Sequence, residues 1–407
     1  MQTLPWCNQQ TLQRSSWNDV RNLVSPGVRA SLEKVLATLD GGALTRDECN
    51  LLAHASGDDL FGLAVAANEI RHRLVGDVIS YVVTRNINFT NVCFVGCKFC
   101  AFSVGPRDQT AYFLTPEQVG EKAVEAAAWG ATEVCIQGGL PRDLPPMYYR
   151  DVLRAVKAAV PTMHAHAFSP MEMVYGVELT GMSVRDYLLM LKDNGLDTLP
   201  GTAAEILDDA VRMVLSRNKL TTAQWCEVIE TAHQCGIRST STMMYGHRET
   251  PEQWVNHMLL LREIQSRTGG FTEFVPLGFI HDHTILYDQG LSRPGGAAEE
   301  HIRVHALSRV LLAGSINHIQ VSWVKLDREL SQLALLVGAD DYGGTLFEEN
   351  ISRLAGATAG QYVSTDEFQE RIRELGRTPA QRNTTYTHYS GSEAIAASEP
   401  VTAGGRA

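Results

Sequence analysis

The sequence has no long apolar run, and none approaches the roughly 18 residues that a membrane-spanning helix needs. The first 20 residues are polar and lack the apolar segment of a secretory leader. We therefore expect a cytoplasmic protein that does not insert into a membrane.

The chain also lacks an excess of positive charge, because 35 Lys and Arg face 46 Asp and Glu and leave a net charge of −11. Nucleic-acid backbones and anionic membrane surfaces both attract basic proteins, so we expect neither as a partner. Only 8 cysteines occur in 407 residues, which excludes a disulfide framework. A hydrophobic content of 44% is ordinary for a globular enzyme.

Short β-rich runs alternate with helical segments over most of the chain. Three of the helical segments open with the capping-box pattern, at Thr115, Thr221 and Thr250. Seven or eight such units predict an α/β fold, a (β/α) barrel of the TIM type whose chemistry lies at the carboxyl ends of the strands. The predicted strands are 87–93, 132–137, 163–168, 197–200, 239–245, 272–277, 318–324 and a weak eighth near 335–340.

The barrel is flanked on both sides by other segments. We expect an N-terminal arm and helices over 1–80, the barrel over 81–355, and a C-terminal helical cap over 356–390. Residues 391–407 are rich in Gly, Ala and Ser and are predicted to be disordered. We expect the two flanking segments to cover the mouth of the barrel.

Three thiols stand close together in "NVCFVGCKFCAF", at Cys93, Cys97 and Cys100. Zinc usually takes four ligands, commonly with a second C-x-x-C pair, and no such pair follows. Thiols that bind no metal are a second reading. A third is an iron–sulfur cluster, in which three thiolates leave one iron open to a substrate. The other cysteines are scattered, and we expect them to be buried or inert: Cys7, Cys49, Cys135, Cys226 and Cys235.

The spacing C-x-x-x-C-x-x-C, with Phe99 before the last cysteine and a barrel strand before the loop, resembles the radical S-adenosylmethionine (SAM) superfamily. The resemblance implies a [4Fe–4S] cluster held by the three cysteines, with SAM on the open iron. It also implies a SAM-binding role for residues at the ends of the first strands. These cofactor-binding candidates are Phe99, Gln137, Gly138, Gly139, Ser169 and Glu205.

A narrower resemblance, to the H-subunit family of FO synthase, rests on seven segments. It implies cleavage of L-tyrosine at Cα–Cβ and transfer of its 4-hydroxybenzyl group to 5-amino-6-(D-ribitylamino)uracil, a step towards a deazaflavin chromophore. The single cysteine triad implies that the G subunit is a separate partner, and ferredoxin or flavodoxin is the expected electron donor. The segments are "RNINFTNVCFVGCKFCAF" (85–102), "IQGGLPRDLP" (136–145), "HAHAFSPMEM" (164–173), "LPGTAAEILDDAVR" (199–212), "TSTMMYGHRET" (240–250), "TGGFTEFVPLGF" (268–279) and "GGTLFEENIS" (343–352).

Polar residues on or just after the predicted strands supply the remaining candidates, because alternate residues of a strand share a face. Three are candidates for catalysis: His166, Tyr245 and Glu273. Five are candidates for binding tyrosine or the uracil: His164, His247, Glu249, Trp323 and Lys325.

Two other functions stay open at this point. The first is that of a related radical SAM enzyme, cyclic dehypoxanthinyl futalosine synthase of menaquinone biosynthesis, which shares the cysteine loop. The second is a protein that only holds an iron–sulfur cluster or zinc and catalyses nothing. Substrate dependence separates the first from the transferase, and SAM cleavage separates the second.

Overall fold

The computed structural model describes residues 5–386, so the predicted disordered tail lies outside the described residues. None of the helices in this range is long and apolar enough to cross a membrane. Pairing between strands is parallel throughout. The strands are β1 Val78–Val82, β2 Thr84–Ile87, β3 Glu133–Ile136, β4 His164–Ala167, β5 Thr198–Leu199, β6 Arg238–Tyr245, β7 Phe271–Gly278, β8 Asp341–Gly344 and β9 Thr378–Arg382.

Strands β2 to β7 form one six-stranded sheet in chain order, with helices between successive strands. Single parallel bridges continue the pairing beyond β7 and return it to β2. The sheet therefore closes into a barrel, and the predicted fold class is confirmed. The bridging pairs are Phe274 with Ile319, Gln320 with Asp341, and Arg85 with Phe347.

The helices begin where the sequence predicts them. Thr115, Thr221 and Thr250 each close a capping box with the Gln three residues later. The helices are α1 Gln9–Arg14, α2 Trp17–Val20, α3 Pro26–Thr38, α4 Arg46–Ala53, α5 Gly57–Val75, α6 Pro116–Ala128, α7 Tyr148–Ala159, α8 Pro170–Thr180, α9 Val184–Asp193, α10 Asp209–Leu215, α11 Thr222–Gln234, α12 Pro251–Thr268, α13 Ile285–Asp288, α14 Ala298–Leu312, α15 Arg328–Leu336, α16 Ile351–Leu354 and α17 Thr365–Glu374.

A second sheet has the order β8-β1-β9 and closes the amino end of the barrel. β1 is separated from β2 by Val83 alone. β9 pairs with β1 in an unbroken register, from Val78 opposite Thr378 to Val82 opposite Arg382. The segment predicted as a helical cap thus contains both α17 and a strand.

The first predicted strand is wrong in extent, because it ends at Ile87 and not at residue 93. Beyond that point the side chains of Thr90 and Asn91 donate hydrogen bonds to the carbonyl groups of Tyr112 and Thr110. These bonds hold the chain in a loop, and the cysteines therefore follow the strand at some distance.

Two late strand predictions also need correction. The predicted strand 318–324 makes only isolated bridges and turns into a 3₁₀ helix at Trp323–Lys325. The eighth strand begins at Asp341, because residues up to Leu336 belong to α15. Apolar runs this short do not distinguish a strand from a helix.

The N-terminal helices form a layer outside the barrel. α5 packs against α14, and α4 packs against α12. Gly62 of α5 allows a close approach, because a Cβ there would lie 2.2 Å from Cγ2 of Val24. The C-terminal β9 lies at the amino end. Gln361, in the predicted C-terminal cap, instead donates to the carbonyl of Glu349 in the loop after β8. The expected covering of the barrel mouth by both flanking segments stays a prediction.

Candidate active site at the carboxyl end of the barrel

A cavity of about 410 Å³ lies at the carboxyl ends of the strands, where barrel enzymes carry their chemistry. Its wall includes the cysteine loop, residues that follow β3, β4 and β5, and the segment around α16. Residues of β6 and β7 and the segment 322–325 also contribute. The predicted site residues that line it are Cys93, Cys97, Cys100, Phe99, Gln137, Gly138, Gly139, Ser169, Glu205 and Lys325.

The cysteine loop is held in place by backbone contacts with two neighbouring segments. The N–H of Phe94 donates to the carbonyl oxygen of Leu140 at 3.0 Å, and that of Lys98 donates to the carbonyl of Leu215 at 2.9 Å. Gly96 has a φ of +70°, a conformation that glycine adopts without strain and that turns the loop between Cys93 and Cys97. The loop therefore presents its thiols to the cavity from a fixed backbone.

The donor set fits an iron–sulfur cluster. All three thiols are free and partly exposed, and cysteine sulfur is the ordinary ligand of such clusters. Burial raises the pKa of the Cys97 thiol to about 11. Within residues 5–386 no three Cys, His, Asp or Glu side chains form a group suited to a single metal ion.

The paired glycines after β3 pack directly against the cysteine loop. A Cβ on Gly139 would lie 2.2 Å from the carbonyl oxygen of Val92, and one on Gly138 would lie 2.6 Å from the ring of Phe89. No larger residue fits at either position. The side chain of Gln137 is held by the Thr202 hydroxyl, which donates to its carbonyl oxygen at 3.0 Å.

Glu172 is a buried cavity residue that the sequence analysis missed. Its carboxylate accepts the N–H of Gly138 at 3.0 Å, and the N–H and hydroxyl of Ser169 at 2.6 Å each. Burial raises its pKa to about 7. The signal was present in "SPME", a capping box with proline at the first helical position.

Glu205 lies in the cavity wall beside a buried lysine. The ammonium of Lys219 donates to its Oε1 at 2.5 Å and lies 5.2 Å from the centre of the Phe99 ring. Glu205 has a φ of +42° and Ala203 a φ of +62°, so this loop is held in a conformation that side chains disfavour. The guanidinium of Arg212 holds it there by donating to the carbonyl oxygens of Ala203 and Ala204.

Three predicted site residues lie at the opposite, amino end of the barrel. Thr198 places its hydroxyl 2.8 Å from Nε2 of His164 and 2.8 Å from Nδ1 of His166. Glu273 accepts hydrogen bonds from Arg382 and Tyr386, at 2.6 Å each. The alternation of side chains along each strand correctly predicted which face of the strand these residues occupy. It did not predict how far they lie from the carboxyl end of the barrel. Their positions argue against a direct role in the cavity.

Two more predicted residues are buried in contacts outside the cavity. The hydroxyl of Tyr245 lies 2.8 Å from Nδ1 of His301. Trp323 donates its indole N–H to the carbonyl of Gly344 at 2.8 Å and packs its ring edge against Phe368. Neither side chain lines the cavity, which corrects the roles predicted for them.

His247 and Glu249 likewise point away from the cavity. Both are buried, and they lie 3.0 Å apart. Glu249 accepts the indole N–H of Trp254 at 3.0 Å and the guanidinium of Arg293 at 3.1 Å. This cluster fixes the turn after β6 instead of forming the cavity wall.

Several lining residues had no sequence signal that set them apart. Cys135, expected to be inert, faces the cavity from β3. The others lie on strands or in loops, where no sequence pattern distinguishes them from other polar residues. They include Asn86, Thr202, Thr242, Ser322, Glu349 and Ser352.

Two family models match the chain. Residues 87–261 match the Radical SAM superfamily, and residues 268–395 match the CofH/MqnC C-terminal region. The first match contains the cysteine loop and the segments from β3 to β6. The predicted radical SAM resemblance is confirmed.

Relatives of high identity are known. The FO synthase of Mycobacterium leprae is 52% identical over 86% of this chain, but the match spans only 41% of that protein. The 5-amino-6-(D-ribitylamino)uracil–L-tyrosine 4-hydroxyphenyl transferase of Methanothermobacter thermautotrophicus is 47% identical over 88% of this chain and 98% of that protein. The chain thus spans about two fifths of the FO synthases that it matches.

A solved structure agrees with the fold. The X-ray structure of the FeFe-hydrogenase maturase HydG from Carboxydothermus hydrogenoformans superposes with a TM-score of 0.68 at 15% identity, covering 95% of this chain and 87% of that protein. This likeness shows the fold alone. The family models and the relatives, in contrast, show that the chain belongs to the radical SAM superfamily and, within it, to the family of the 5-amino-6-(D-ribitylamino)uracil–L-tyrosine 4-hydroxyphenyl transferases.

Proposed function

We propose that this protein transfers the 4-hydroxybenzyl group of L-tyrosine to 5-amino-6-(D-ribitylamino)uracil. The observation that carries the proposal is a single cavity lined by three free thiols, a pair of glycines that no other residue can replace, and buried charged side chains. The relative from Methanothermobacter, named for this reaction, matches over almost its full length.

We infer that Cys93, Cys97 and Cys100 hold a [4Fe–4S] cluster and leave one iron for SAM. When bound, this cofactor supplies the one-electron cleavage of SAM that starts radical chemistry. Gln137, Gly138 and Gly139 offer backbone carbonyls for the SAM amino group. Ser169 and Glu205 complete this side of the cavity, with Phe99 beside Lys219 and near the cluster.

The protein's own contribution is to orient two substrates and to exclude solvent from a reactive radical. Apolar side chains cover much of the wall, including Met244, Phe279 and Val324. Such walls offer few polar groups that retain water. A closed site of this kind favours reaction with tyrosine over loss of the radical.

We infer three further properties. The protein acts in the cytoplasm, its electrons come from a ferredoxin or flavodoxin, and a G-subunit-like radical SAM protein is its functional partner. The last inference rests on the match to the Methanothermobacter transferase, which covers 98% of that protein.

An anaerobic reconstitution tests the function. The protein with its cluster, a reductant, SAM, tyrosine and the ribitylaminouracil should yield the hydroxybenzyl–uracil adduct, detected by mass spectrometry, only when all components are present. Cys97→Ala should abolish both the adduct and deoxyadenosine. Deoxyadenosine formed while tyrosine and the uracil stay intact would overturn the substrates and favour the futalosine reaction.

A matched cysteine variant serves as the control. Cys226 lies on α11, is partly exposed, and does not line the cavity. Cys226→Ala should retain the iron content and adduct yield of the unaltered protein. An equal loss in both variants would show that the cysteine substitutions act through folding.

A further inference from the structure

One cation in the cavity wall makes no direct ion pair with any residue that the structure describes. Lys325 is the last residue of the 3₁₀ helix Trp323–Lys325, which follows the bridging residues Ile319 and Gln320. Its side chain lines the cavity. Within residues 5–386 its ammonium makes one hydrogen bond, to the hydroxyl of Ser352 at 2.9 Å, and no ion pair within 4 Å. A lysine ammonium has three N–H donors, so two of them have no protein partner.

The other lysine in the described wall of this cavity is treated differently. Lys219 is paired with Glu205 at 2.5 Å, and Arg212 adds a second positive charge 3.7 Å from that carboxylate. Burying a charge is costly unless it is paired. Lys219 satisfies this requirement within the protein, and Lys325 does not.

A carboxylate stands next to the free cation. Glu349 is 6% exposed and lines the cavity, and its Oε1 accepts the hydroxyl of the same Ser352 at 3.2 Å. Its two oxygens also accept the N–H of Ser352, at 3.1 and 3.0 Å. Ser352 therefore joins a lysine and a glutamate that make no direct ion pair. Burial lowers the pKa of Lys325, whereas the nearby charges of Glu349 and Cys100 raise it.

The backbone around Glu349 is strained. Leu346 has a φ of +53° and Glu348 a φ of +62°, although neither is glycine. Such conformations cost about 1–3 kcal/mol each and persist where the surrounding structure requires them. Arg85 and Lys122 hold Glu348 on the outer side, at 2.9 and 3.0 Å, so its neighbour turns inwards.

The strand order puts this pair across the barrel from the proposed SAM side. Lys325 follows the bridging residues Ile319 and Gln320, and Glu349 follows β8. On the other side of the barrel, Ser169 follows β4 and Glu205 follows β5. Apolar residues, among them Val324 and Ile351, surround the pair. A cation and an anion, separate but adjacent in an apolar wall, match the two charges at the α-carbon of an amino acid.

We propose that Lys325 and Glu349 bind the charged end of the amino-acid substrate, with Lys325 receiving its α-carboxylate and Glu349 its α-amino group. Ser352 is a positioning residue that holds both side chains. The assignment rests on the proposed function, because it takes tyrosine as the amino acid. It leaves the SAM side of the cavity to Glu205, Ser169 and the paired glycines.

Ligand binding without turnover provides the test. The reconstituted holoenzyme with SAM and no reductant is dialysed against labelled tyrosine, with tyramine and 3-(4-hydroxyphenyl)propionate as competitors that lack one charge each. Lys325→Met should weaken tyrosine about 30-fold and leave tyramine unchanged. Glu349→Gln should weaken tyrosine about 10-fold and leave the propionate unchanged. SAM affinity should stay within about twofold in both variants.

Two controls keep the result interpretable. Lys34→Met removes a half-exposed lysine of α3 and should change no affinity. Lys325→Arg keeps the charge and should preserve the preference for tyrosine over tyramine. Retained SAM binding in each variant demonstrates a folded site.

Other outcomes overturn the inference in distinguishable ways. If the unaltered protein binds SAM but no tyrosine, the proposed function fails and the assignment fails with it. If the unaltered protein binds tyrosine and Lys325→Met binds it equally well, the assignment alone fails. If Lys325→Met loses SAM while keeping tyrosine, the lysine serves the SAM carboxylate.

Discussion

The two ends of the barrel both bury charged side chains, yet they satisfy them in different ways. At the amino end, Arg382 donates to Asp341 at 2.5 and 2.8 Å and to Glu273 at 2.6 Å. At the carboxyl end, Lys325 has one hydroxyl group as its partner. Burial and charge alone therefore do not identify a binding site, and the two ends differ in whether protein groups satisfy the charges.

The same contrast holds for the neighbours of these charges. Tyr386 donates to Glu273 at 2.6 Å, and the backbone and hydroxyl of Thr384 donate to Glu133 at 3.0 and 2.7 Å. The amino end is thus a completed hydrogen-bond network that closes the barrel. The carboxyl end is a network that a ligand would complete.

The largest effect is expected from breaking the completed end. Arg382→Met would leave Asp341 and Glu273 buried without their cation, so the free energy of unfolding should fall by about 3–5 kcal/mol. Denaturant titration measures it, with Arg373→Met on the exposed face of α17 as the control. A midpoint equal to that of the control would contradict the account of the amino end.

A smaller effect on stability, but a larger one on ligand binding, is expected at Glu172. In Glu172→Gln the amide NH₂ would face the N–H of Gly138 or of Ser169, and two donors cannot form a hydrogen bond with each other. SAM should therefore bind about tenfold more weakly, and the free energy of unfolding should fall by about 1–2 kcal/mol. Equilibrium binding and thermal unfolding measure the two effects. The exposed Glu178 of the same helix, changed to Gln, should alter neither.

The amino end also predicts a pH dependence. Burial lowers the pKa of His166 to about 4, below the usual 6.5, so the folded state keeps this ring neutral. Between pH 6.5 and 4, unfolding is therefore accompanied by the uptake of a proton by His166. The contribution of the neutral ring to the free energy of unfolding is fully present above pH 6.5 and is lost as the pH falls towards 4. Relative to the unaltered protein, His166→Asn should flatten the curve by about 1.4 kcal/mol per pH unit in this window. A slope that His166→Asn leaves unchanged would contradict this account of the buried histidine.

The smallest effect is expected at Tyr245. Tyr245→Phe removes a hydroxyl that contacts His301 outside the cavity, so stability should fall by about 1 kcal/mol while turnover stays within about twofold. Steady-state rates and unfolding midpoints, measured on the same preparation of Tyr245→Phe, test both expectations. A loss of turnover above tenfold without loss of stability would restore the catalytic role predicted from the sequence.

The sequence predicted the fold and the cysteine site because both depend on local patterns. Capping boxes at Thr115, Thr221 and Thr250 fixed helix starts, and the spacing of Cys93, Cys97 and Cys100 carries its own chemistry. These features need no knowledge of distant parts of the chain, so they survive the step from sequence to structure.

The depth of a residue in the barrel was not predictable in the same way. His166 and Glu273 lie on strands, but whether such a residue meets the cavity or the opposite end depends on where the strand starts relative to its neighbours. Partners far along the chain decide this: Arg382 reaches Glu273 across 109 residues. Glu349 was missed because the loop that holds it has no regular pattern.

The pairing of β9 with β1 has a consequence for synthesis of the chain. The contact between Asp77 and Arg377 joins residues 300 positions apart, so the amino end closes only after the chain as far as β9 has left the ribosome. Until β9 is in place, Glu273 and Asp341 lack the guanidinium of Arg382. Contacts between residues so far apart in the chain form slowly, so we expect the amino end of the barrel to close late in folding.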